Sequence, residues 1–199
     1  MHRHVVAALA VASALACAER AEPTAPITLT VYGDAALSDN ANGQNFGAHL
    51  SPKNETPPGP VNASKAVGNA VFQLSDDGQT LSYKLIVANI ENAFMAHIHR
   101  GKADQNGPIV VWLYPSTAAT PGPTGQGRIQ GVIAQGSITK SNFVGELLNM
   151  EMSDLLALIA NENAYVNVHT SDGVAPANTG PGDFPAGELR AQLLGRGQR

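Results

Sequence analysis

The residues best placed to do chemistry are histidines set in strand-like surroundings. Ala96-His97-Ile98-His99 and Tyr165-Val166-Asn167-Val168-His169 both alternate polar and apolar side chains. Side chains two apart on a strand project to the same side. With Ala96, Ile98, Val166 and Val168 turned to a core, His97, His99, Asn167 and His169 take the opposite face. The segment from Glu188 to Leu193 places Leu189 and Leu193 inward and leaves Glu188, Arg190 and Gln192 outward. If the three strands are neighbours, these polar groups converge.

Two histidines on one strand stand roughly 6–7 Å apart at Cα, which suits two ligands of one transition metal. His169 would then complete a three-histidine shell for copper or zinc. Asp183 or Glu188 could add a carboxylate ligand or hold an imidazole in place. Two metal-free readings stand beside this one. The polar face could be a hydrogen-bonded network built on Asn167, Glu188 and Arg190, as in a structural or adhesive domain. It could also be the wet side of an antiparallel sheet. An enzymatic reading comes third, because a three-histidine site with an open position can activate water or oxygen.

Other chemistry has less support. Ser137, Ser141 and Ser153 lack the glycine setting of a nucleophile elbow. Asp76 and Asp77 belong to a turn and do not face each other across a cleft. His49 reads as exposed. Trp112 and Tyr114 alternate with Val111 and Leu113, and fit either a core or a small binding surface. The triplets Asn54-Glu-Thr56 and Asn62-Ala-Ser64 are glycan acceptors only in a eukaryotic secretory route.

The elements that must position the histidines are short strands. Val67–Leu74 and Thr80–Ile90 alternate in period two around Ser75-Asp-Asp-Gly-Gln79, a hairpin signal. Further strands are expected at Ile27–Tyr32, Phe46–Leu50, Phe94–His99, Ile109–Tyr114, Ile129–Ile138, Tyr165–His169 and Glu188–Leu194. Proline and glycine clusters at 51–60, 115–127 and 171–187 mark loops. One helix is expected at about 153–161, with Ser153 as its cap and Leu155, Leu156, Leu158 and Ile159 as its buried stripe. No internal repeat is visible. Together these predict an all-β antiparallel Greek-key sandwich or barrel with one short helix.

The chain has 199 residues, a net charge of −4 and 14% charged residues. That length suits one domain, and the composition argues against disorder. No cluster of lysine and arginine exists, which excludes a phosphate-tracking surface and with it nucleic-acid binding. Residues 1–18 read as a signal peptide or lipoprotein leader, because the apolar run Val5–Ala16 is too short to span a bilayer. Residues 19–26 form a proline-bearing tether, and 27–199 a single β domain. Cys17, the only cysteine, stands where a lipid-anchored cysteine would, and an internal disulfide is impossible. The expected location is therefore the periplasm, the medium or a membrane surface held by lipid. No second segment is apolar enough to span a membrane.

Five segments in order resemble one family. They are Asn54-Glu-Thr-Pro-Pro58, Ala96-His-Ile-His99, Gly107-Pro-Ile-Val-Val111, Ala164-Tyr-Val-Asn-Val-His-Thr170 and Gly187-Glu-Leu-Arg190. In this register they are similar to the CHRD domain, named from chordin and widespread in bacterial secreted proteins. The stretch Asn178–Pro185 also resembles bacterial members, and the likeness spans about residues 46–194. It implies an extracellular β domain with an unidentified extracellular partner, and it implies no particular activity. Leu189-Arg190-Ala191 departs from the Ile-Arg-Gly common in the family, a difference of packing more than of chemistry.

Overall fold

A turn fixed by its own side chains starts the fold. The Asp77 carboxylate accepts from Ser75 Oγ at 2.6 Å and from the Gln79 amide at 3.0 Å, while Gly78 takes φ +70°. This sets the register of the hairpin that the alternation predicts. The computed structural model describes residues 44–56, 63–117, 119–195 and 198. The expected leader with Cys17, the expected tether and the strand expected at 27–32 lie outside them. The described residues belong to one compact unit.

Nine strands and one helix follow in chain order: β1 (Asn45–Leu50), β2 (Val67–Leu74), β3 (Leu81–Glu91), β4 (Ala93–Arg100), β5 (Ile109–Tyr114), β6 (Arg128–Ile138), α1 (Met152–Ala160), β7 (Ala164–Thr170), β8 (Leu189–Gln192) and β9 (Leu194–Gly195). They form two antiparallel sheets, one ordered β6-β3-β2-β1-β9 and the other β5-β4-β7-β8. The architecture is a sandwich and not a closed barrel. Its core joins Leu50, Phe72 and Leu85 of the first sheet to Ile98, Val166, Val168 and Leu189 of the second. Inward residues come two apart from each strand, as expected of facing sheets. Tyr83 is buried and donates its hydroxyl to Leu113 O at 2.6 Å, tying β3 to β5.

Two local expectations need correction. The helix begins at Met152, and Glu151 is its cap residue: Glu151 N donates to the Asp154 carboxylate at 2.8 Å. Ser153 is inside the first turn, so the free amide at the start is met by Asp154 instead. The strand expected at Glu188–Leu194 is two strands, because the chain crosses between sheets at the fully buried Leu193.

The four-stranded sheet differs most from a one-sided antiparallel sheet. All seven residues of β7 are buried, polar and apolar alike. Loops roof its outer face. The turn at Pro52–Asn54 reaches it through Ser51 N and Asn54 Nδ2, which both donate to Arg190 O. The loops around 101–107 and 179–187 supply the remaining cover. No helix among the described residues is long and apolar enough to cross a membrane.

Candidate metal centre

β4 and β7 are neighbours, and their register assembles the histidines. His97 pairs with Asn167, His99 with Tyr165 and Met95 with His169. His169 is therefore diagonal to His97, close enough for rings to meet. Ring centroids are 4.9 Å apart for His97 and His169, 5.4 Å for His97 and His99, and 5.7 Å for His99 and His169. One candidate ligand atom from each lies within 4.8 Å of the others. All three side chains are buried, His97 completely.

Hydrogen bonds decide what these rings present. His99 Nδ1 lies 2.8 Å from Gly107 O, and His169 Nδ1 lies 2.9 Å from Pro185 O. A carbonyl oxygen can only accept, so both Nδ1 atoms carry the hydrogen. Each Nε2 then holds a lone pair. Neither Nε2 has a hydrogen-bond partner, and neither nitrogen of His97 has one. Each such buried nitrogen left without a partner costs about 1–3 kcal/mol, so the space between the rings favours an occupant that can accept their lone pairs. A carbonyl behind each Nδ1–H is also the usual support of a metal-bound imidazole.

Burial keeps the rings neutral. It lowers the pKa of His97 to about 2, with His169 and His99 adding to the effect. Burial likewise lowers His99 and His169 to about 4, against the raising influence of their carbonyl partners. At neutral pH all three are in the form that binds metal. Three nitrogens about 2.0–2.1 Å from one ion stand roughly 3.3–3.6 Å apart at tetrahedral or trigonal angles. A spread of up to 4.8 Å closes with about an ångström of ring movement. The residues fit a transition metal.

Aromatic rings wall the site. Trp112 of β5, paired with His97, meets that ring edge-on with centroids 4.2 Å apart. Tyr165 stacks on His99 at 4.9 Å, and Arg190 Cζ sits 3.5 Å from the centroid of the Tyr165 ring. Arg190 also donates to Asn106 Oδ1, Lys102 O and Gln105 O, pinning the 101–107 loop over the sheet.

The carboxylates lie elsewhere. Glu188 accepts from Ser64 Oγ, Thr170 Oγ1 and Gly182 N, so both oxygens are engaged. Asp183 Oδ2 accepts from Thr179 N and Oγ1. Among the described residues, the group of converging ligand atoms holds the three histidines alone. Asn167, Glu188 and Arg190 are all buried, yet each bonds to different partners. Asn167 Nδ2 points to Glu55 Oε2 at 3.5 Å. His49 is exposed on β1 and bonds Asn69.

Glu55 escaped the sequence reading because it sits on a turn with no period. Burial pushes its carboxyl up to about 7, against the pull of Arg190 and Asn167. Its Oε1 and Asn167 Oδ1 are both without partners. They face the same spot beside Gly187, so one proton shared between them would satisfy both. Gly187 has φ +139°, and a Cβ there would lie 2.5 Å from Asn167 Oδ1 and 2.7 Å from Glu55 Oε1. Gly187→Ala is expected to cost about 2–4 kcal/mol through strain and contact, read as a lower thermal midpoint. An unchanged melt would show that the roof can shift freely.

Residues 46–193 match the family model described as CHRD domain. No curated protein and no solved structure matches the chain.

Proposed function

We propose that this chain, which belongs to the CHRD domain family, is an exported binding module that holds a transition-metal ion, copper or zinc, on the Nε2 atoms of His99 and His169 and one ring nitrogen of His97. One observation carries the reading: three buried neutral imidazoles meet, and their inward nitrogens have no other partner. Residues 1–18 hold the signal peptide or lipoprotein leader and 19–26 the tether; in the lipoprotein alternative Cys17 stays on the chain as the anchored residue, which Cys17→Ser would test by loss of membrane association. The domain's partner in this reading is extracellular.

Trp112 supplies the assay, being the only tryptophan and in contact with His97. Cupric ion added to metal-free protein should quench its fluorescence by more than half, saturating at one equivalent. Zinc should compete for the same site. The variant with all three histidines changed to alanine should show neither effect. Equal quenching in that variant would sink the site.

A second reading has its own support in the bonds of Glu188 and Arg190, which hold the roof loops without any ion. In it the domain is a structural or adhesive module and the histidines are neutral packing groups. The triple variant would then lose thermal stability even in the presence of chelator.

A further inference from the structure

We infer that the site is built for cuprous copper and that the thioether of Met95 is its fourth donor. This rests on the three-histidine reading and adds one residue and one oxidation state to it. Alternation along β4 puts Met95 on the face that carries His97 and His99, since Ala96 and Ile98 face the core. Across the ladder, the Cα partner of Met95 is His169. Met95 therefore borders two of the three ligands, one along its strand and one opposite. Residues directly opposite stand about 4.5–5.5 Å apart at Cβ. A methionine side chain, unbranched with three rotatable bonds, spans that gap readily. Its side chain is half-buried.

The other donors explain the choice of metal. The three imidazoles are neutral, and among the described residues no carboxylate joins their group of converging ligand atoms; Glu188 has both oxygens engaged by other groups. Among the described residues no thiolate exists, since Cys17 is the single cysteine. The guanidinium of Arg190 lies over the Tyr165 ring that also stacks on His99, so a cation is already close by. A dication would bring two positive charges into a buried site with no anionic ligand, whereas cuprous ion brings one. Buried charge without a partner is costly, so the site discriminates by charge. The soft thioether discriminates in the same direction, since sulfur ligands select copper(I).

The test compares the untagged domain with Met95→Leu, a swap that nearly conserves volume. Metal-free protein is titrated without oxygen against cuprous ion held by a chromophoric chelator, with zinc ion titrated in parallel. Met95→Leu is expected to weaken cuprous binding at least about tenfold while zinc binding moves less than about threefold. X-ray absorption at the copper edge should show a sulfur scatterer in the wild type and nitrogen alone in the variant. Equal cuprous affinity with a nitrogen-only shell in both would overturn the Met95 assignment and leave the three-histidine site standing. Equal losses for both metals would overturn the selectivity. A wild type that binds neither metal would overturn the underlying reading as well. If Met95→Leu fails to fold, the presence or absence of sulfur in the wild-type spectrum decides the matter.

Discussion

Lowering the pH from 7.5 to 5.5 is expected to destabilise the metal-free domain by about 2 kcal/mol, and its Glu55→Gln variant by about 4 kcal/mol. In the unfolded chain a histidine takes up its proton near pH 6.5. In the fold His97 is held to about 2, and His99 and His169 to about 4. Between those values the unfolded state binds more protons, so stability falls as pH falls. By pH 5.5 each buried ring has given up about 1.4 kcal/mol. Glu55 works in the opposite sense. Its folded pKa is raised to about 7 from 4.5, so in this window the folded state holds the extra proton. Acidification then returns about 2 kcal/mol. Gln keeps the shape and the amide partner of Asn167 but removes that return. Denaturant melts at the two pH values would read both slopes, and equal slopes for the two proteins would contradict the role given to Glu55.

Gly107→Ala is expected to cost more than about 4 kcal/mol and to abolish metal binding in whatever protein still folds. A Cβ at this position would lie 1.7 Å from Arg100 O, a backbone atom that cannot swing aside. The main chain would have to move, and three bonds would move with it. Gly107 O accepts from His99 Nδ1, Gly107 N donates to the Tyr165 hydroxyl, and the neighbouring Pro108 O accepts from Arg100 N. His99 would lose the carbonyl that fixes its ring, and with it the direction of its lone pair. Thermal melting and cuprous titration of the variant would test this. A stable variant with unchanged affinity would show that the loop does not position His99.

The face shared by the histidines was readable because β7 throughout, and β4 from Ala96 to His99, alternate with small or branched apolar residues inward; the irregularity between Ala93 and Met95 falls before the histidines. The same rule, applied one step further back, also reaches Met95, which attracts notice only once its pairing with His169 is known. What the roof does could not be read. Period two places Asn167 and Arg190 away from the core, which usually means water. Here the loops around 52–56, 101–107 and 179–187 fold back over them, and loop conformation carries no periodic signal. For the same reason Glu55 and the backbone partners Gly107 O and Pro185 O were invisible. Glu188 looked like a ligand from its face alone. Its actual partners, Ser64 and Gly182, are 124 and 6 residues away and follow from tertiary structure.

The most direct measurement of the central claim is elemental analysis of the protein, expressed from its full chain and purified without a histidine tag. One copper or zinc ion per chain is expected, lost when His97, His99 and His169 are all replaced by alanine. Metal-free protein that also resists loading at neutral pH would contradict the claim, because the rings are already neutral there and nothing but the site itself would stand in the way.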